Sequence, residues 1–215
     1  MKQYDRILLA NKAWAKEKIE EDPGFFTKRA KGQKPGFLWI GCADSRVPPS
    51  QIIQAEPGEL FIHRNIANVI MQDDVNMLSV VQYSVDVLEV EDVIVCGHYG
   101  CGGVMAALKG GVDGPIDTWL EQIRSVYAAH KDEIDALDNE EDRVNRLIEF
   151  NVKDQLIELA RTDTIQNAWS AGKRPALHGW VYDMKDGVIK RVLELDHTTD
   201  LNSIDEVNSP IDLNT

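Results

Sequence analysis

Residues 93–103 read Val93-Ile94-Val95-Cys96-Gly97-His98-Tyr99-Gly100-Cys101-Gly102-Gly103. An apolar run of strand-forming residues leads into a histidine, a cysteine three positions on, and a glycine pair that opens a helical stretch. The same design stands upstream, where Phe37-Leu38-Trp39-Ile40 runs into Gly41-Cys42-Ala43-Asp44-Ser45-Arg46. Both runs read as buried strands, and ligands of open α/β sheets collect at the carboxyl ends of strands. Neighbouring strand ends would bring Cys42, His98 and Cys101 around one metal ion. Two thiolates and one imidazole with a free fourth position form the pattern of a catalytic zinc. The H-x-x-C pair alone carries little weight; adding Cys42 strengthens it, with two buried cysteines and a satisfied histidine as the plain alternative for the three.

Thiolate and imidazole donors suit zinc. Two thiolates supply more negative charge than three imidazoles do. The expected pKa of a water on such a zinc therefore lies somewhat above the ~7 of a three-histidine site, and activity should rise toward alkaline pH. Asp44 can reach either the metal or Arg46, and the two are alternatives. Paired with Arg46, it leaves the fourth position open; bound to the metal, it closes the site. A plain loop salt bridge would be worth little. Gly102 and Gly103 stand at a helix start, where backbone N–H groups can hold an anion, although tight packing at a turn also explains glycines there.

Outward from these clusters, strand and helix alternate, which indicates a parallel sheet covered by helices. Residues 1–30 are helix-prone, with Tyr4, Ile7, Leu8 and Trp14 on one stripe, and Pro23-Gly24 breaks them into an arm. Ser50 is the expected N-cap of a short helix through Ile53. Residues 59–62 read as the second strand, and Leu78, Val81, Val85 and Leu88 mark a helix. The third strand is expected over residues 92–96, followed by a helix between Gly102-Gly103 and Gly110-Gly111. Trp119, Ile123, Val126 and His130 mark another. The acidic run at residues 138–142 starts a long helix and suits its dipole. Residues 177–182 and 188–195 read as a hairpin, giving the sheet an antiparallel edge. The expected division is an N-terminal helical arm (1–35), a zinc-binding α/β catalytic domain (36–197) and a polar, patternless tail (198–215).

The 215 residues carry a net charge of −13, with 43% hydrophobic and 27% charged residues. This composition is that of a soluble globular protein and argues against a general binder of nucleic acid. No secretory signal and no membrane-spanning stretch is visible. Three cysteines give no disulfide framework, so reduced thiols in a cytoplasmic protein are expected. Cys96, inside its apolar run, reads as a small buried hydrophobe. His63 and His130 can relay protons, although a solvated surface position accounts for each.

In order along the chain, Cys42-Ala43-Asp44-Ser45-Arg46-Val47, Arg64-Asn65-Ile66-Ala67-Asn68 and Gly97-His98-Tyr99-Gly100-Cys101-Gly102-Gly103 resemble the motifs of the β-class carbonic anhydrases, from about Gln33 to Tyr182. The resemblance implies zinc held by Cys42, His98 and Cys101, with Asp44 and Arg46 as catalytic dyad and Asp44 the fourth ligand in a closed state. It implies reversible hydration of carbon dioxide to bicarbonate and a proton by a zinc-bound hydroxide. Gln33 matches a substrate-contacting glutamine donated across a dimer interface. Phe61, Ile66 and Tyr83 match positions lining the substrate pocket, and the Gly102 N–H would help hold bicarbonate. The implied fold is a parallel four-stranded core with an edge strand and arms wrapping a partner, in homodimers that often pair into tetramers. Trp39, Arg64 and Tyr182 match the triad of a bicarbonate-inhibited bacterial subgroup, an allosteric anion site near Val47. A related hydrolase of another small linear molecule such as carbon disulfide, a silent zinc or bicarbonate binder, and a redox thiol protein are the competing readings. The Asp44–Arg46 pair argues against silence, and the absence of a C-x-x-C pair argues against redox chemistry.

Overall fold

The computed structural model describes residues 2–172, 174–202 and 204. The chain divides into two compact units, Met1–Lys34 and Pro35–Thr215. The first holds helices α1 (Gln3–Glu21) and α2 (Phe25–Arg29). The Asp22 carboxylate accepts from the Gly24 N–H at 2.8 Å and from Lys28 Nζ at 3.0 Å, which turns the chain between them. Trp14 then meets Phe25 and Phe26 edge-on. The other three members of the expected α1 stripe are open to solvent: Tyr4, Ile7 and Leu8 are 58%, 64% and 61% exposed.

The second unit is built on strands β1 (Phe37–Cys42), β2 (Leu60–Asn65), β3 (Asp92–His98), β4 (Ala176–Tyr182) and β5 (Ile189–Leu195), in the order β2-β1-β3-β4-β5. The first four run parallel, and β5 closes the edge antiparallel to β4. From β1 the chain crosses first to β2 on one side and then to β3 on the other. The carboxyl ends of β1 and β3 thus form the point where strand order reverses, the place where open α/β sheets bind ligands.

Short helix α3 (Pro49–Ile52) links β1 to β2. Its N-cap is Pro48, with Pro49 as first residue, and Ser50 lies inside the helix. This corrects the expected Ser50 cap: a proline at the first helical position loses no bond and arrives with helical φ. Helix α4 (Val75–Gln82) links β2 to β3 and runs into a π turn over Tyr83–Val87. Between β3 and β4 lie α5 (Gly102–Lys109), α6 (Pro115–Ala129), α7 (Lys131–Asp135), α8 (Glu140–Ala160) and α9 (Asp163–Ala171). Leu38, Ile40, Val93 and Val95 of the sheet pack on Met77, Val81 and Leu156, while Val181 packs with Leu120, Ile123, Leu147 and Phe150. Trp39, Ile94 and Cys96 form a smaller cluster on the opposite face.

Helix α8 approaches the sheet closely. A Cβ on Gly97 would lie 2.6 Å from Val152 Cγ2, so the residue before His98 must be glycine for α8 to seat. The same helix buries polar groups for a reason. Asn151 donates to the Ala67 carbonyl at 3.0 Å, and Gln155 accepts from the Ile70 N–H at 2.6 Å. These bonds hold the turn after β2, where Ala67 takes a left-handed φ of 60°. The tail from 205 onward, like residue 203, lies outside the described residues. No helix among the described residues is long and apolar enough to cross a membrane.

Candidate metal centre

Cys42 is the last residue of β1, His98 the last of β3, and Cys101 the residue that precedes α5. All three are buried, and one ligand atom from each lies within 4.8 Å of the others. The two sulfurs are 3.9 Å apart and not oxidised to a disulfide. His98 Nδ1 donates to the Tyr99 carbonyl at 3.0 Å. With Nδ1 so engaged, Nε2 is the ring nitrogen that remains to bind a metal. Nε2 is buried with no hydrogen bond, an orphan a metal would satisfy. The Cys101 S–H pulls the Cys42 thiol down to about 4, with burial opposing and the His98 ring adding to the pull. The same contact and burial push Cys101 up. The chemistry and convergence of this donor set fit zinc.

Asp44 follows two residues after Cys42 and is gripped by Arg46. Arg46 Nε donates to Oδ1 at 2.9 Å, Nη2 to Oδ2 at 2.7 Å, and the Arg46 N–H to Oδ1 at 2.9 Å. This bidentate pair holds the carboxyl far below the ordinary carboxylate range. Oδ2 stands 3.8 Å from His98 Nε2, at the edge of the cluster. Of the two arrangements open to Asp44, the structure has the Arg46-paired one.

Trp39, Arg64 and Tyr182 share one face of the sheet, because Arg64 pairs with Gly41, Trp39 with Ile94, and Tyr182 with His98. Arg64 does not stand idle there. Its Nε donates to the Cys42 carbonyl at 2.8 Å, and Nη2 donates to the carbonyls of Asp44 at 2.5 Å and Val47 at 3.0 Å. The guanidinium therefore holds the loop that carries both Cys42 and Asp44. Trp39 is buried edge-on against Trp180, whose indole N–H has no partner.

The expected pocket residues separate. Ile66 stands beside the cluster: a Cβ on Gly103 would lie 2.7 Å from its Cγ2. Gly102 is the first residue of α5, with open space where a side chain would be. Phe61 and Tyr83 pair with each other, ring centroids 5.8 Å apart. Phe61 sits opposite Leu38, four strand residues before the Cys42–Asn65 pair, or about 13 Å back along the sheet. Gln33 lies in the first unit and is exposed. His63 is buried and His130 is half-buried. His63 is 9% exposed with its pKa lowered by burial, and His130 stacks on Phe150 at 4.0 Å.

One feature escaped sequence reasoning. Tyr99 Oη donates to Glu149 Oε1 at 2.5 Å, and Arg146 Nη1 donates to Glu149 Oε2 at 3.0 Å. Burial, reinforced by Glu149, pushes the phenol up, so it remains a donor. Its one sequence signal is a glutamate inside the apolar Leu147-Ile148-Glu149-Phe150 run.

The family profile described as carbonic anhydrase matches residues 37–189. A carbonic anhydrase of Emericella nidulans is 44% identical over 187 residues, 87% of this chain and 82% of the relative. Among solved structures, a chain from the two tetrameric β-carbonic anhydrases of the filamentous ascomycete Sordaria macrospora superposes with a TM-score of 0.86 at 39% identity. It covers 89% of this chain and 98% of that one. The Coccomyxa β-carbonic anhydrase in complex with acetazolamide superposes with a TM-score of 0.87 at 32% identity, covering 94% and 96%.

Proposed function

This chain belongs to the β-carbonic anhydrases, enzymes of carbon dioxide hydration, and on that premise we propose that Cys42, His98 and Cys101 hold one zinc ion beside an Asp44–Arg46 gate. The observation that carries the reading is the buried, unpartnered His98 Nε2 facing two sulfurs and one carboxylate oxygen. Zinc in this place supplies a Lewis acid that makes a water nucleophilic near neutral pH.

The protein's own groups do the rest. Arg46 draws both oxygens of Asp44 toward itself and keeps the carboxylate off the fourth metal position. So held, Asp44 accepts a hydrogen bond from the attacking water and orients it. The Gly102 N–H, at the start of α5, would donate to an oxygen of bicarbonate. Ile66 walls the apolar side, where carbon dioxide has nothing to hydrogen-bond. Phe61 and Tyr83 lie too far back along the sheet to line this pocket and, with Gln33, would line that of a second copy. A homodimer follows, and the exposed apolar stripe of α1 supports it. The tetrameric Sordaria macrospora relative supports a pair of dimers.

Inhibition by bicarbonate is the second part of the proposal. Arg64 now spends its donors on the carbonyls of Cys42, Asp44 and Val47. A bicarbonate held by Arg64, Trp39 and Tyr182 would compete for those donors and release the loop. Asp44 would then leave Arg46 and cap the metal. The test is carbon dioxide hydration by zinc-loaded protein against rising bicarbonate. The wild type should lose activity steeply and Trp39→Ala should not. Equal inhibition of the two proteins removes the second site, and no hydration by either removes the zinc reading.

A further inference from the structure

We infer that Tyr99 and Glu149 are positioning residues for the metal ligand His98, an inference that rests on the zinc reading above. Tyr99 lies between the ligands His98 and Cys101, and its peptide is fixed at both ends. Its N–H donates to the Tyr182 carbonyl at 3.0 Å, and its own carbonyl accepts from His98 Nδ1 at 3.0 Å. The second bond is the one that sets the imidazole tautomer and aims Nε2 at the two sulfurs. The carbonyl can hold the ring only as firmly as Tyr99 itself is held.

The side chain provides that hold. The phenol ends on Glu149 Oε1 at 2.5 Å, while the Lys190 ammonium lies 4.8 Å over the ring. Glu149 is only 6% exposed and sits on α8, the helix seated against Gly97. Its other oxygen accepts from Arg146 at 3.0 Å. Arg146 in turn donates through Nε to Glu133 at 2.8 Å and lies over the Phe150 ring at 4.7 Å. A continuous path thus runs from Glu133 on α7, through Arg146 and Glu149 on α8, to Tyr99 and the imidazole. A carboxylate buried this deeply is costly unless its partners are fixed. That cost makes the path stiff rather than adjustable. Outer partners of metal-binding histidines govern metal affinity by holding the ring in place.

The test compares zinc affinity, read by competition with a chelator, in the full-length wild type, Tyr99→Phe and Glu149→Gln. The control is Tyr127→Phe, which deletes a 2.8 Å phenol–carboxylate bond to Asp135 away from the site. Tyr99→Phe keeps the ring and loses only the hydroxyl. We expect its zinc affinity to fall about tenfold, with Glu149→Gln falling in the same direction and Tyr127→Phe unchanged. The rise in Tm on adding zinc should shrink in the first two variants, beyond any change in the Tm of the metal-free protein. A purely structural pair would lower the metal-free Tm and leave zinc affinity within twofold of the wild type, which would overturn the inference. If Tyr99→Phe does not fold, Glu149→Gln decides by the same criterion. A wild type that binds no zinc would instead overturn the metal reading itself.

Discussion

His98→Ala is expected to reduce bound zinc from one per chain to none under dialysis and to abolish carbon dioxide hydration. The reason lies in the donor set. Cys42 and Cys101 are 3.9 Å apart and in hydrogen-bond contact, so without the imidazole the two sulfurs still have each other as partners. Two donors, one at the end of β1 and one at the start of α5, do not make a tetrahedral site. The imidazole is also the only one of the three ligands whose free atom lacks a hydrogen bond, so its loss removes the group that gains most from metal. The effect on rate should be complete, because the nucleophile depends on the metal. Metal analysis and a hydration assay on the same sample check it. Near-normal zinc content in His98→Ala would place the metal elsewhere.

Arg46→Ala should give the opposite split, with zinc retained and activity lost. Arg46 makes two side-chain bonds and one backbone bond to Asp44. The fork is bidentate and charge-assisted, so it fixes where the carboxylate points even though the arginine is solvent-exposed. With the side-chain pair gone, the carboxylate that now stands 3.8 Å from His98 Nε2 is free to move onto the metal. A fall in kcat/KM of about 10²-fold is expected, the lower end of what a positioned proton acceptor contributes. Zinc affinity should hold or tighten, since a fourth protein ligand has been added. Arg46→Ala with full activity would show that the Asp44–Arg46 pair is only a loop contact. Asp44→Ala/Arg46→Ala then distinguishes a closed site from a missing proton acceptor. Recovery of zinc accessibility to a chelator marks the first, and no change marks the second.

The metal cluster and the sheet were legible in the sequence for one reason. Cys42, His98 and Cys101 each follow an uninterrupted apolar run, and such runs in an α/β pattern end where ligands bind. The Asp44–Arg46 alternatives were also visible, because both residues sit on the same short loop as Cys42. Which of the two held was not, since it depends on a guanidinium geometry that spacing does not encode. Ser50 illustrates a local rule losing to a neighbouring one, as Pro48 and Pro49 set the helix start themselves. Helices α7 and α9 have five and nine residues, too short for a clear stripe. His63 looked solvated because histidine commonly is, whereas it is buried here, and His130 keeps partial exposure with one face on Phe150. The Tyr99–Glu149 bond joins residues 50 positions apart, and a glutamate on a long helix reads as a solvated face until its partner is known. Phe61 and Tyr83 matched pocket positions by motif, yet the strand register sets them back from the cluster of their own chain.

Stopped-flow carbon dioxide hydration by protein carrying one zinc per chain, scanned from neutral to alkaline pH, tests catalysis at the Cys42–His98–Cys101 centre most directly. Fast turnover that climbs with pH and vanishes when the metal is stripped is the predicted result. Zinc-loaded protein that shows no turnover at any pH would contradict it.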